Sequence, residues 1–426
     1  MLGTDSYRPQ LHTAPPAGDN TPMLADLADT VLTYIDTCHR SGTAPQILVP
    51  NARSVQYLKH LGTDLRLRRV DDQTPRSSSI QRLGHWLTYA TDRAEIPGTA
   101  ALIPVTGFLA MHWITGQSPL EDEDLTTLLA WIDPPRHAAT GRDAATQAED
   151  TTPRPPTGPA TDAAFDNDEL APLFHTHTQA WRQGQDQAPV LKELHHLLDQ
   201  RMKPTWDLMW HAYSLLTTIP EAPSTQSRWE HERTAFTEER AYLTQDGRPR
   251  PAQDHVITAA RHLARMEHAA RTFAAQRATE DPFIRAELRT TGEAFGGPVT
   301  TTDEAHTQRG PTGRPRWRPR FTIATQDPVL MEPGQLLANH THRKARYRIC
   351  TIQPTEEATF VELEITAGMG TAGRPNHSVL PEAGTQLLFT CAPDHYLRPQ
   401  LPTRDQTPWT HGGPHTDRAD SDEKQP

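Results

Sequence analysis

The spacing of apolar residues changes near residue 320, and a single type of secondary structure cannot produce both spacings. Before this point, apolar residues such as Leu191, Leu194 and Leu198 recur every three or four positions, which indicates amphipathic helices. From Arg320 to Cys391 they alternate with polar residues instead, which is typical of half-buried strands. The two patterns predict a multidomain α+β chain in which helices and strands occupy separate regions.

The alternating region predicts a small antiparallel β-barrel over residues 320–395. Pro333-Gly334 and Asn339 supply turn signals between its strands. Several short strands of this kind fit a small barrel of the OB or SH3-like type. The expected strands are Phe321–Thr325, Val329–Leu337, Tyr347–Ile352, Phe360–Thr366 and Gln386–Cys391. Residues 396–426 are polar and rich in proline, so we expect them to form a disordered tail.

Residues 165–296 are expected to form a central helical bundle domain. Trp229, Phe236 and Leu243 are spaced by sevens, and residues 256–273 place apolar side chains at the a and d positions of nearly three heptads. A free coiled coil needs a longer repeat than this. Antiparallel helices that pack within one bundle are therefore the better interpretation, and we assign the aromatic residues of these stripes to its core.

The preceding region, residues 22–135, predicts a small mixed α/β domain. An apolar run at residues 46–50 suits a buried strand, Asn51 can cap the helix that follows, and Gly62 can end it. A second strand is expected where apolar and polar residues alternate, at Leu65, Leu67 and Val70. Together these elements would form a β-α-β unit.

The clearest local signal for a helix start lies at Ser118. Ser118 occupies the N-cap position, Pro119 the first helical position and Glu121 the third, which is the pattern of a capping box. Residues 122–124 add negative charge near the positive end of the helix dipole, and an apolar stripe follows over residues 125–132. We interpret the acidic cluster as a capping signal rather than as a metal or partner site.

Composition indicates that part of the chain links domains. The 426 residues are enough for two or three domains. Only 35% of them are hydrophobic, and 39 are proline, which is about twice the usual share of proline. Residues 136–159 and 297–319 contain few large apolar side chains, so we expect both stretches to be linkers.

The sequence predicts a cytoplasmic protein that does not enter a membrane. Cys38, Cys350 and Cys391 are too few and too scattered for a disulfide framework. The first 21 residues lack the apolar core of a signal peptide. The most apolar stretch, residues 99–115, is shorter than the ~20 residues that cross a bilayer and contains proline and glycine.

Charge is distributed unevenly along the chain. The formal net charge is -11, yet residues 309–348 contain nine Arg or Lys and two acidic residues, a local net charge of +7. A basic segment on an acidic protein indicates an anionic partner. Within it, residues 314–321 interleave arginines with Trp317 and Phe321, and arginine pairs with phosphate while an aromatic face can stack on a base.

We therefore predict a nucleic-acid-binding segment. The alternatives are binding to an acidic protein surface, and a solvated linker whose Trp317 and Phe321 dock on the barrel. The candidate nucleic-acid-binding residues are Arg314, Arg316, Trp317, Arg318, Arg320, Arg343, Lys344, Arg346 and Arg348.

A glycine-rich segment is the second candidate site. Residues 368–373 match the Gly-x-Gly-x-x-Gly spacing of dinucleotide-binding motifs, but no helix signal follows, and that motif needs a helix N-terminus to receive the phosphates. We expect instead a loop between barrel strands, whose glycines would let a phosphate approach the backbone. Its candidate residues are Gly368, Gly370, Gly373 and Arg374.

Sequence signatures of catalysis and metal binding are lacking. The sequence contains neither a P-loop nor a Gly-x-Ser-x-Gly motif. The 22 histidines include three close pairs, but spacing indicates no third ligand for any of them, so we expect no metal and no cofactor. The pairs are His175 with His177, His195 with His196, and His340 with His342.

The sequence thus predicts a non-catalytic accessory protein of a cytosolic nucleic-acid-processing machine. The basic segment and the barrel would contact the backbone of single-stranded DNA or RNA, and the helical domain would contact a protein partner. The first alternative is a scaffold that binds only protein, with its basic segment docked on an acidic partner. The second is an enzyme with an unrecognised site, for example around His112 and Trp113 in the N-terminal domain.

Overall fold

The computed structural model describes most of the chain and divides it into two compact units. Unit 1 comprises residues 1–221 and 225–252, and unit 2 comprises residues 222–224 and 253–426. The described residues are 1–16, 19–70, 76–150, 157–159, 162–245, 256–309, 315–371, 374–392, 399–403 and 406.

The described residues form twelve α-helices and twelve β-strands. The helices are α1 (Thr21–Arg40), α2 (Ala52–Arg66), α3 (Ser77–Ala94), α4 (Val105–His112), α5 (Pro119–Asp122), α6 (Leu125–Ile132), α7 (Gly141–Ala148), α8 (Ala171–Arg182), α9 (Ala188–Leu216), α10 (Thr225–Thr244), α11 (Val256–Glu280) and α12 (Pro282–Thr291). The strands are β1 (Ile47–Val49), β2 (Leu102–Pro104), β3 (Ala294–Asp303), β4 (Thr307–Arg309), β5 (Pro315–Trp317), β6 (Arg320–Thr325), β7 (Leu336–Asn339), β8 (Arg346–Pro354), β9 (Thr359–Ala367), β10 (Gly370–Thr371), β11 (Arg374–Pro375) and β12 (Gln386–Cys391). None of these helices is both long and apolar enough to cross a bilayer.

The N-terminal region contains a parallel pair of strands, but the predicted β-α-β unit is wrong, because two helices, α2 and α3, separate these strands and the second lies at Leu102–Pro104. Strand β1 pairs in parallel with β2, and Ile47 lies opposite Leu102. The stretch expected to form the second strand instead begins inside α2, which runs through Gly62 to Arg66. Leu58, Leu61 and Leu65 are three and four residues apart and contribute to one apolar cluster, so helical spacing prevails over the short alternation.

Gly62 does not end α2. It lies within the helix, and its lack of a side chain allows α2 to pack closely on α3. A Cβ atom at Gly62 would lie 2.9 Å from Cβ of Leu87, and one at Gly84 would overlap the backbone of Arg66. The two helices therefore approach closely where these glycines meet. The N-cap prediction for the same helix is confirmed, since Oδ1 of Asn51 accepts a hydrogen bond from the Ser54 amide at 3.1 Å.

The capping box at Ser118 is also confirmed, but it starts a shorter helix than the apolar stripe suggests. The Glu121 amide donates to Oγ of Ser118 at 3.4 Å, and the Ser118 amide donates to Oε2 of Glu121 at 2.5 Å. Helix α5 ends at Asp122, and the stripe belongs to α6, which has its own N-cap at Asp124.

The helices expected to form a central bundle do not share one core among the described residues. Helix α9 packs with α4 and α6 in one apolar cluster, and α10 packs with α1 and α3 in another. Helices α11 and α12 belong to unit 2. An apolar stripe shows that a helix buries one face, but several partners can cover that face equally well. The expected linker 136–159 likewise contains α7, whose Ala144 and Ala145 are buried.

Unit 2 contains a closed, fully antiparallel barrel of six strands in the order β12-β3-β6-β9-β8-β7. The mixed α and β character and the C-terminal barrel predicted from the sequence are therefore confirmed. Alternate side chains of the strands fill its interior, and the rings of Phe321, Tyr347 and Phe389 lie in mutual contact there. Phe295 of β3 completes this aromatic cluster.

The barrel has one strand more than predicted, because β3 lies in the stretch expected to end the bundle and begin the linker 297–319. Its Gly-Gly-Pro sequence resembles a turn. In the barrel, however, a Cβ atom at Gly297 would overlap the carbonyl oxygen of Ala324 on β6, so glycine is what lets the two strands approach. The strand expected at Val329–Leu337 was placed too early, because β7 begins at Leu336.

Candidate nucleic-acid interface

Three chain connections meet at one end of the barrel. Asp303 at the end of β3 lies opposite Arg320, Arg320 lies opposite Glu364, and Glu364 lies opposite Arg348. The connections that follow β3, β7 and β9 therefore leave from the same end. These connections are residues 304–319, 340–345 and 368–385, and we call this end of the barrel the basic end.

The name follows from the charges of the connections. Those at the basic end contain seven Arg or Lys and two acidic residues, Glu304 and Glu382. The connections at the opposite end, residues 326–335 and 355–358, contain four acidic residues and no Arg or Lys. The charge asymmetry seen along the sequence thus becomes a difference between the two ends of one barrel.

The three connections contact one another at the basic end. A Cβ atom at Gly368, whose φ is +96°, would lie 2.7 Å from Cα of Ala345. The rings of His377 and Trp317 lie 5.3 Å apart between centroids. The connection after β9 therefore fills the space between the other two, and Gly368 serves this packing. The glycine-rich segment forms the short β10–β11 hairpin, in which Gly370 pairs with Pro375 and Thr371 with Arg374.

The stretch expected to be an extended basic linker contains two short paired strands. Strand β4 pairs with β5, and the side chains of Arg309 and Arg316 are exposed. Trp317 is half-buried against the barrel core, and its Nε1 donates a hydrogen bond to the carbonyl oxygen of Glu304 at 2.6 Å. Arg318 donates from Nη1 to the carbonyl oxygen of Thr366 at 2.5 Å. Phe321 lies in the core with 1% of its surface exposed, so it cannot stack on a base.

Two of the candidate arginines are bound within the barrel wall. Glu364, whose side chain is 2% exposed, lies between Arg320, at 3.5 Å from Nη2, and Arg348, at 3.7 Å from Nη1. Glu362 lies 3.7 Å from Nη1 of Arg320. Burial raises the pKa of the adjacent Cys350 thiol. The carboxylates of Glu362 and Glu364 balance the charges of these two arginines. The two arginines therefore add little to the attraction of an anionic ligand.

The connection between β7 and β8 presents its cations to solvent. Oδ1 of Asn339 accepts hydrogen bonds from the amides of Thr341 and His342, which fixes the start of the connection. The side chains of Arg343 and Lys344 are exposed. Arg346 instead folds back and donates from Nη1 to the carbonyl oxygens of Arg343 and Ala345, both at 2.8 Å.

Arg343 of this connection also acts on the charge of Arg285 in α12, a residue outside the basic segment that gave no sequence signal. Burial lowers the pKa of the Arg285 guanidinium, Asp281 opposes that effect, and the nearby Arg343 lowers it further. Burial also lowers the pKa of His340, and both Arg285 and Arg343 add to that shift. Of the remaining predicted site residues, Arg314 and Gly373 lie outside the described residues, as does the expected tail apart from residues 399–403 and 406.

The other sequence candidates do not assemble into a site. In the described part of the chain, no three His, Cys, Asp or Glu side chains are grouped so that they could hold a metal ion. His112 contacts the ring of Trp113, and Trp113 packs against the apolar cluster of α4, α6 and α9. The three cysteines form no disulfide with one another. Comparison of the chain with protein-family models, with curated proteins and with solved structures finds no match.

Proposed function

We propose that the protein is a non-catalytic accessory protein of a cytosolic nucleic-acid-processing machine and binds the backbone of single-stranded DNA or RNA at the basic end. One observation carries this proposal, namely the convergence on one end of a closed barrel of three connections that together contain seven Arg or Lys and two acidic residues. Small barrels of the OB type bind oligonucleotides through the loops of comparable surfaces, and the likeness to that type is part of the proposal.

Phosphate contacts are the main source of binding energy in this proposal. Arg309, Arg316, Arg343 and Lys344 have exposed side chains, and none of them forms an ion pair with another described residue. Arg and Lys that neutralise phosphates release counterions, which gives affinity without dependence on base sequence. At the opposite end Asp327 is paired with Arg289, and the exposed Glu332, Glu356 and Glu357 would repel the same ligand and so restrict it to one end.

The helical part would supply a contact with a protein partner. Phe174 and Trp181 of α8 are 39% and 52% exposed. They are seven residues apart, so they lie on the same face of the helix. Exposed aromatic residues are enriched in protein interfaces, and this pair is the observation that supports a partner contact there.

A protein-only scaffold is the second candidate, and the environment of Trp317 favours it. The indole donates to Glu304 and packs on the barrel, which limits the stacking that single-stranded nucleic acid commonly uses. Binding to an acidic protein surface would require only the exposed Arg and Lys side chains. The two candidates differ in whether an oligonucleotide alone binds.

The test is a fluorescence-anisotropy titration of the full-length protein with single-stranded DNA and RNA at several salt concentrations. We expect binding that weakens with salt. The triple variant Arg309→Gln, Arg316→Gln and Lys344→Gln should reduce the slope of log K against log salt by about 2, because each phosphate contact on a single strand contributes roughly 0.7.

A matched control removes three exposed arginines outside the barrel, with Arg53→Gln, Arg142→Gln and Arg233→Gln. It causes the same change in net charge and should leave most of the slope intact. Equal losses in the two triple variants would mean that overall charge, and not the basic end, governs binding. If the native protein binds no oligonucleotide at low salt, the proposal is wrong and the protein-only scaffold replaces it.

A further inference from the structure

Two aromatic rings from different connections meet at the basic end of the barrel. Trp317 is the last residue of β5, and His377 lies in the connection that follows β9. Their ring centroids are 5.3 Å apart, and the ring planes are inclined by 54°. This separation is within the range of direct aromatic contact, so the two connections are joined here through their side chains.

Trp317 is the inner ring of this pair and is held in place by the barrel. Its Nε1 donates a hydrogen bond to the carbonyl oxygen of Glu304 at 2.6 Å, and its side chain packs against the apolar core. Its backbone pairs with Thr307 of β4. Trp317 would lose these contacts if it turned outward, so the indole supports the site and is not itself the surface on which a base would stack.

His377 is the outer ring, and it is exposed to solvent. The preceding residue, Asn376, fixes the backbone on both sides of it. Oδ1 of Asn376 accepts hydrogen bonds from the amide and the hydroxyl group of Ser378, at 3.3 and 2.7 Å, and its Nδ2 donates to the carbonyl oxygen of Gly368 at 3.3 Å. The imidazole therefore rests on Trp317 from a defined turn and offers its remaining surface to solvent.

The ring pair lies among the connections that carry the exposed cations of the basic end. Arg316 directly precedes Trp317, and the connection that carries Arg343 and Lys344 contacts the one that carries His377. Trp317 is the only Trp, Tyr or Phe in the three connections. A single strand whose phosphates lie on cations still has unpaired bases, and proteins commonly receive such bases on aromatic rings.

We propose that His377, supported by Trp317, is the stacking site for one unpaired base of the bound single strand. Histidine rings are among the side chains on which proteins stack unpaired bases. Every base has a π face, so this contact adds affinity without selecting a sequence. The inference rests on the proposed function, because it names a contact within the same interface. It concerns the base and not the phosphate, however, so the two can be tested apart.

The first experiment compares two ligands that carry the same phosphates. One is a single-stranded DNA oligonucleotide, and the other is a chain of the same length in which every nucleotide lacks its base. The full-length protein should bind the first about tenfold more tightly, the effect of one stacked base. The slope of log K against log salt should be the same for both, because their phosphates are equal in number. Equal affinities would overturn the stacking site and leave the phosphate-binding function intact.

Substitutions then assign the preference for bases to one ring. His377→Ala should lose most of the tenfold preference and keep the salt slope, whereas His377→Phe should retain the preference, because phenylalanine offers an aromatic face without a charge. The matched control is His340→Ala, which removes another exposed imidazole from the basic end and should keep the preference. If His377→Phe behaves like His377→Ala, or if the two alanine variants lose the preference equally, the stacking site is wrong.

A third measurement locates the base directly. An oligonucleotide that contains 5-iodouracil is irradiated in complex with the native protein, and the attached peptide is identified by mass spectrometry. We expect attachment to the peptide that contains His377, and attachment only to peptides outside the basic end would overturn the stacking site. A protein that binds neither ligand at low salt gives a different result, since the proposed function then fails and the stacking site fails with it.

Discussion

At the scale of single residues, glycine decides how closely the elements of both units approach. Gly62 and Gly84 lie where α2 packs against α3, and Gly297 lies where β3 pairs with β6. At each position a methyl group would meet the backbone or Cβ of the neighbouring element. Close approach of this kind is a property of a pair of elements, so no pattern within one segment reveals which glycines are needed.

Gly84→Ala should destabilise unit 1 by about 1–3 kcal/mol, since the added methyl group would overlap the backbone of Arg66 and force the helices apart. Gly107→Ala is the matched control, because Gly107 is also helical and a methyl group added there would lie 3.8 Å from its nearest neighbour, Cγ of Pro104. Alanine should there be neutral or stabilising by up to ~1 kcal/mol. Thermal unfolding followed by circular dichroism measures both, and a Gly84→Ala protein as stable as Gly107→Ala would contradict the close crossing.

At the scale of elements, a helix cap can also hold together segments that are distant in the sequence. Oδ1 of Asn51 caps α2, while its Nδ2 donates to the carbonyl oxygens of Glu123 and Thr157 at 3.4 and 3.3 Å. Thr157 is itself buried and accepts a hydrogen bond from the Leu125 amide. One side chain therefore joins the start of α2 to the start of α6 and to a stretch expected to be a linker.

Asn51→Ala should cost about 2 kcal/mol, the upper part of the range for lost caps, because the carbonyl oxygens of Glu123 and of the buried Thr157 also lose their donor. Ser118→Ala removes a cap whose surroundings are exposed and should cost about 0.5–1 kcal/mol. Urea unfolding of the two variants gives the comparison. Equal losses would show that the amide of Asn51 contributes nothing beyond the cap itself.

At the scale of the whole molecule, closure of the barrel depends on a strand from outside the region that alternation marks. Strand β3 lies between β12 and β6, so the barrel without it would have two open edges. The domain boundaries expected from the sequence, with a barrel at residues 320–395, stay a prediction that fragments can test.

A fragment of residues 253–426 should unfold in a single cooperative transition and keep the salt-dependent binding of oligonucleotides. A fragment of residues 320–395 should fail to fold, because it lacks β3 and the apolar surface that Phe295 and Val299 contribute to the core. Thermal unfolding of both fragments, followed by circular dichroism, decides whether the barrel domain begins near residue 253 or at residue 320. Cooperative unfolding of the shorter fragment would restore the boundary drawn from alternation.

The sequence by itself determined the features that depend on neighbouring residues. Asn51 and Ser118 were identified as caps from their spacing to the next helical residues, and five of the six barrel strands overlap stretches whose side chains alternate. The concentration of Arg and Lys in residues 309–348 was also visible without a structure. These signals are short-range, because a cap satisfies amides within one turn and alternation follows from the two-residue repeat of a strand.

Only the tertiary structure decided which segments share a core and which charges remain uncompensated. It assigned Arg320 and Arg348 to Glu364 and made β3 a barrel strand. Charge compensation and strand pairing act between residues that are close in space, whatever their separation along the chain. A sequence pattern gives the face that an element buries, but its partner is selected by the packing of the complete unit.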